Sequence, residues 1–201
     1  MSIALNDKAL TEAFGPTEGT SLRIKQAILV VLGIAALAIA AKIKIPMFPS
    51  PVPITLGTFA VLTIGVTYGP RLGLATIMGY MIIGALGFDV FASSSAEANG
   101  ISYMMGGTGG YLLGYVAATL YLGYAARRGL DRSIEGMGGA LLVANALIYV
   151  PGVLWLHQFT SGWAQTMEWG LTPYVIGDLM KLALAALLIP SLWKLVGKAR
   201  G

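Results

Sequence analysis

The 201 residues carry a net charge of +4, 56% hydrophobic side chains and only 11% charged ones, against about 25% charged in soluble globular domains. That composition excludes a soluble domain. Zero cysteines and a single histidine, His157, exclude disulfides, thiolate chemistry and any cysteine or multi-histidine metal site, so no cofactor and no metal is expected.

Residues 1–20 contain Asp7, Glu12 and Glu18 among glycines and a proline, without the basic start and apolar centre of a cleavable signal. They read as a mostly exposed tail. Residues 26–41 form the first apolar span, and its small residues Gly33, Ala36 and Ala40 recur at three- and four-residue steps. Such a stripe permits close helix contact, either inside the bundle or with a separate membrane subunit, and the stripe alone does not choose. Residues 42–53, KIKIPMFPSPVP, hold four prolines and cannot stay helical, so a tight extended connection is expected at one membrane surface.

Residues 54–68 and 72–86 make the second and third spans, parted by Gly69 and Pro70; each is shorter than the ~20 residues usual for a crossing. Residues 88–107 form a long connection with serines, Asn99 and glycines, which leads into GGTGGY at 106–111. Loops of that length are usually functional or disordered. The glycines Gly106, Gly109 and Gly110 around Thr108 admit two readings: backbone amides brought close to a ligand, or a turn entering a tightly packed helix. The fourth span is 111–126, and the charges that follow it, Arg127, Arg128, Asp131, Arg132 and Glu135, are expected in a solvated loop. In the fifth span, 137–156, Asn145 and Tyr149 stand four apart on one face, and Pro151 is expected to kink the helix beside that polar strip. Trp163 and Trp169 read as interface anchors, and His157 is given no catalytic role.

The last span opens on TPYVIGDLMK at 172–181. Thr172 caps a helix that starts on Pro173, which puts Asp178 roughly 8 Å and Lys181 roughly 12 Å into it. Tyr174, Asp178 and Lys181 share one face. An Asp or Lys at a helix centre costs ~2.5 to 3.5 kcal/mol on insertion scales, so such residues mark a substrate pathway or an internal ion pair.

Six spans place both termini on one side. That side holds Lys8, Arg23, Lys25, Arg71, Arg127, Arg128, Arg132, Lys194, Lys198 and Arg200, while the opposite loops hold only Lys42 and Lys44. Positive charge stays inside, so the expectation is an all-α integral membrane protein: six transmembrane helices in one bundle, both termini cytoplasmic. Residues 1–22 would be a cytoplasmic N-terminal tail and 23–201 the six-helix transmembrane domain. The basic residues lie at helix ends rather than in a patch with interleaved aromatics, which argues against nucleic acid as a partner. No GxxxxGK[ST], G-x-S-x-G or HExxH pattern is present, and an enzyme is not expected. An intramembrane enzyme using Asp178 would need a second positioned catalytic group that the sequence does not offer.

The segments VPITLGTFAVL (52–62), YGPRLG (68–73), VFA (90–92), GGTGGYLLGY (106–115), NALIYVPGVLWL (145–156) and GDLMK (177–181) resemble, in order and spacing, the BioY biotin-binding S components of energy-coupling factor (ECF) transporters. The resemblance covers about three quarters of the chain. It implies high-affinity biotin capture from outside, with uptake driven by a transmembrane coupling subunit (T component) and two ATPase subunits (A components), which alone use ATP. It also implies that the first helix docks through small residues, here Ala36 and Ala40 with Gly33 on the same stripe, which favours docking over packing. Biotin's ureido ring, with two N–H donors and one carbonyl, suits Asp178 as acceptor and Lys181 as donor. Lys181 could equally meet the valerate carboxylate. Phe91, Tyr111, Tyr149 and Tyr174 are the candidate walls for the thioether ring, with Asn145 beside Tyr149 on the polar strip. Asn99, Gly106, Thr108, Gly109 and Gly110 form a candidate lid. Three positions depart from the family pattern: Asp89 and Gly107 stand where it has proline, and Gly57 where it has glutamine. The alternative from another class is a structural or accessory membrane protein in which Asp178 and Lys181 only pair with each other.

Overall fold

The computed structural model describes residues 8–94 and 98–199. Helices dominate, in the order α1 (Gly19–Lys42), α2 (Gly57–Ala85), α3 (Gly100–Met104), α4 (Gly109–Arg127), α5 (Ile134–Leu156), α6 (Trp163–Gly170) and α7 (Val175–Ala199). Among the described residues four stretches are long and apolar enough to cross a membrane: Gly19–Lys42, Gly57–Ala85, Ile134–Phe159 and Trp163–Val196. Their apolar side chains point both ways. Val61, Leu62, Ile77, Leu141 and Ile148 are sealed in the core, while Val31 and Ile39 of α1, Val150 of α5 and Ile176 of α7 are exposed. An apolar exterior around an apolar core is what a lipid solvent permits.

Helix α2 is not straight. Gly69 has φ +75 and ψ 178, a conformation that glycine adopts without a Cβ penalty, and Pro70 follows it. In an unbroken helix Ile64 and Gly73 would be ~13.5 Å apart along the axis, yet a Cβ on Gly73 would lie 3.7 Å from the Ile64 carbonyl oxygen. The chain therefore doubles back at Gly69 into two half-helices, 57–68 and 70–85. Helix α4 crosses the elbow at Gly123, where a Cβ would come within 2.4 Å of the Pro70 nitrogen.

The proline-rich connection is extended, as its composition requires. Strand β1 (Lys44–Ile45) pairs antiparallel with β2 (Ile54–Thr55), Lys44 opposite Thr55 and Ile45 opposite Ile54. The loop after α2 is fastened to this hairpin region: Lys42 Nζ meets Asp89 Oδ1 at 2.5 Å, Ser94 Oγ donates to the same oxygen at 2.6 Å, and Lys44 Nζ donates to the Ala92 carbonyl at 2.6 Å. These contacts hold the Asp89 carboxyl below its ordinary pKa, Lys42 being the largest cause. Asp89 is thus paired. Within the long connection, residues 100–104 form α3, a short helix the loop reading did not anticipate.

Three expectations need correction. The tail is exposed over residues 14–20 but not over 8–13: Ala9, Leu10 and Ala13 are buried, Thr11 Oγ1 donates to the Thr67 carbonyl at 3.1 Å, and Glu12 pairs with Arg127 at 2.7 Å. This short segment covers the Gly69 elbow, whose bare Cα leaves room for the Ala9 methyl. Asp131 does not sit in solvent. It has no exposed surface, Trp193 Nε1 donates to its Oδ2 at 2.5 Å, Arg132 Nε pairs with Oδ1 at 3.0 Å, and the Arg132 guanidinium lies 3.3 Å over the Trp193 ring. Third, Gly33 does not share an outer face with Ala36. It is buried against α2, where a Cβ would collide with Thr76 at 2.6 Å and the Tyr68 ring at 3.1 Å. Ala36 is exposed and Ala40 half-buried. Helix α5, for its part, continues through Pro151 to Leu156.

Candidate functional site

Tyr174, in the turn 172–174 just before α7, and Asp178 and Lys181, in the first turns of α7, line one cavity. Asp178 and Lys181 pair at 2.8 Å with side chains 5% and 14% exposed. The pair is not alone. Tyr149, on α5, donates to Asp178 Oδ2 at 2.7 Å. Lys181 Nζ also donates to the Thr55 carbonyl at 2.7 Å and to Thr58 Oγ1 at 3.2 Å, and Thr58 Oγ1 lies 3.4 Å from Asp178 Oδ1. An ammonium has three donors and a carboxylate about four acceptor positions. Lys181 is therefore saturated, whereas Asp178 Oδ2 keeps one acceptor position.

This cluster forms one wall of a cavity whose empty space, open mouth included, is about 750 Å³. Phe91, Tyr111, Tyr149, Tyr174 and Thr108 line it, as do Thr55, Thr58, Tyr80, Tyr103 and Tyr115. Leu37, Leu112 and Ile148 supply apolar surface. The aromatics are fixed by contacts with one another and with the backbone. Phe91 stacks on Tyr103 at 5.0 Å and meets Tyr80 edge-on at 5.3 Å. The Tyr80 hydroxyl donates to the Val90 carbonyl at 3.0 Å. Tyr111 donates to the Gly170 carbonyl at 2.7 Å, and the Tyr174 hydroxyl reaches the carbonyls of Val52 and Trp169. The hairpin and the α6–α7 turn are thereby held together over the cavity.

The other sequence candidates lie elsewhere. Asn145 is one turn along α5 from Tyr149 but not on the cavity wall, and its buried Oδ1 has no hydrogen-bond partner among the described residues. Asn99 caps α3, where Ser102 Oγ donates to its carbonyl at 2.6 Å. Gly106 accepts from Trp155 Nε1 at 2.8 Å. The packing reading describes Gly109 and Gly110: a Cβ on Gly109 would lie 2.0 Å from the Met104 carbonyl oxygen, and one on Gly110 2.3 Å from that of Pro151. The same close approach continues at Gly114, 2.6 Å from the Ile148 Cα. His157 stacks on Trp163 at 3.9 Å, away from the cavity lining.

Sequence reasoning missed Thr55, Thr58, Tyr80, Tyr103 and Tyr115. Tyr111 and Tyr115, four apart on α4, formed a readable stripe. A lone threonine such as Thr58, at the start of an apolar span, carries no signal of its own.

The arrangement defines a class first: a helical membrane protein with an aromatic-walled cavity and a buried ion pair in its wall. Its fold matches the crystal structure of the S-component for biotin from an ECF-type ABC transporter, with TM-score 0.76 over 88% of this chain and 95% of that one at 20% sequence identity. The BioY family model matches residues 14–198, and the chain belongs to that family. Relatives include a probable biotin transporter BioY of Pyrococcus horikoshii, 35% identical over 83% of this chain and 95% of its own length. The biotin transporter BioY of Thermotoga maritima is 31% identical over 80% and 91%.

Proposed function

We propose that this chain captures biotin and takes it into the cell as the membrane-embedded S component of an ECF-type transporter. The observation that carries the reading is that Asp178, with one acceptor position of Oδ2 unused among the described residues, lines an aromatic-walled cavity. A ureido N–H fills that position with a charge-assisted bond, while the rings around it take the bicyclic body. Lys181 then acts first by holding the Asp178 carboxyl in place, and it reaches a ligand oxygen only by giving up Thr55 or Thr58.

Counting the two halves of α2 separately gives six crossings: 19–42, 57–68, 70–85, 109–127, 134–156 and 175–199. With both termini cytoplasmic, the cavity opens outward in the cytoplasmic (inner) membrane. Residues 1–22 form the cytoplasmic segment and 23–201 the six-helix binding domain. Ala36 and Ala40 meet the T component, Gly33 being used inside the bundle, and the A components supply ATP hydrolysis. The chain itself binds without catalysing and needs no resident cofactor. The lid reading of Asn99 and the 106–110 glycines is narrowed to Thr108, which lines the cavity.

A second reading has an observation in its favour: Lys181 is fully satisfied without a ligand, as a purely structural pair would be. Titration of the purified protein with biotin, followed by tryptophan fluorescence and by radiolabelled biotin, decides between them. Saturable binding weakened by Asp178→Asn and by Lys181→Ala is expected. No saturable binding by either readout would return the pair to a structural role.

A further inference from the structure

A second cavity lies toward the other end of α1, between the N-terminal segment, the start of α1 and the second half of α2, with about 630 Å³ of empty space including its opening. Leu37 and Ala41 line the first cavity, while Leu22, Lys25, Gln26 and Leu29 line this one, so the two are roughly 20 Å apart along the helix. The chemistry of the second is mixed. Lys8, Lys25, Gln26, Glu12 and two threonines, Thr11 and Thr17, supply its polar wall, and Leu22, Leu29 and Leu72 its apolar one.

Among the described residues the lining holds two lysines and one acid. That acid, Glu12, is already engaged by Arg127 at 2.7 Å and by the Ala9 amide at 3.1 Å. Neither Lys8 nor Lys25 takes part in an ion pair among the described residues. Lys25 Nζ donates to the Phe14 carbonyl, which uses one of its three donors and fixes the ammonium at the segment's edge. Ile28 stands one turn from Lys25 on α1, and it and Ile24 are 53% and 56% exposed, so the Lys25 edge of the groove adjoins the apolar belt.

We propose that this groove binds an anionic phospholipid, its phosphate between Lys8 and Lys25 and an acyl chain along Leu29 and Leu72. Charge complementarity selects the head group, and continuity with the belt selects a lipid over a free anion. In the orientation proposed above the lipid belongs to the cytoplasmic leaflet. Occupied, the site ties the N-terminal segment to the bilayer as well as to the Gly69 elbow.

The test is native mass spectrometry of the full chain released from bilayers of equal phosphatidylglycerol and phosphatidylcholine. Retained phosphatidylglycerol should exceed phosphatidylcholine, and each lysine removed in Lys8→Gln and Lys25→Gln should lower that excess about fivefold. Lys25→Arg should keep it, and biotin binding by all variants should stay at the parent level, which shows them folded. No preference between the two lipids, or a preference unchanged by both substitutions, overturns the proposal. Displacement of the bound lipid by excess inorganic phosphate overturns it too, in favour of a free-anion site.

Discussion

Lys181 Nζ lies 2.7 Å from the carbonyl oxygen of Thr55, so a charge in the last helix holds the closing strand of the hairpin over the cavity. The same ammonium pairs with Asp178, and both depend on being buried together. Removing one partner strands the other. Lys181→Met should therefore destabilise the protein by about 3 to 5 kcal/mol, while Asp178→Leu with Lys181→Met should recover most of that loss. Thermal unfolding in detergent checks the stability, and radiolabelled biotin should fail to bind either variant.

Tyr149→Phe deletes one hydrogen bond to an ionised group, a contact worth about 1.5 to 3 kcal/mol. The ring keeps its edge-on contact with Tyr111 at 6.1 Å, so the fold should persist. Biotin affinity should fall about tenfold or more, read as a shift in the binding isotherm with an unchanged number of sites.

Gly110→Val should part α4 from α5, because even a Cβ there falls 2.3 Å from the Pro151 carbonyl oxygen. A loss of at least about 1 to 3 kcal/mol is expected from overpacking. Gly138→Ala, on the same α5 but with nothing within 4 Å, should be neutral or stabilising by up to about 1 kcal/mol. Parallel thermal melts distinguish the two.

Burial pushes the Asp131 carboxyl above its ordinary pKa, despite the opposing bonds from Trp193 and Arg132. A raised folded value means the folded state holds the proton more tightly. This contribution to stability is complete below the unfolded pKa of about 3.9 and is lost as pH rises through the folded value. Asp131→Asn should flatten the pH dependence of the melting temperature across that window. An unchanged slope in the variant would show that other groups set it.

The ligand-facing helix was legible in the sequence because two opposite charges in an apolar run are costly and stand out. Their partners were not. Thr55 acts through its backbone carbonyl, which every residue possesses, and Thr58 through a hydroxyl that also suits bundle packing. Asp131 looked like a loop charge because its cover, Trp193, is 62 residues away. Gly33 fell on the docking stripe by three- and four-residue spacing, but whether a small residue faces inward depends on what neighbours it, here Tyr68 and Thr76. The glycine cluster before α4 carried two readings, and the distance to Met104 and Pro151 decides Gly109 and Gly110 for packing.

The reversal at Gly69 bears on how the chain enters its membrane. Each half of α2, 57–68 or 70–85, is shorter than the ~20 apolar residues a lone crossing needs, and neither satisfies the bilayer by itself. On the six-crossing arrangement proposed above the two halves partition together, as one folded pin, and the residues that cover the elbow become its seal only after Arg127 has emerged. Biogenesis is thus written into a single left-handed glycine.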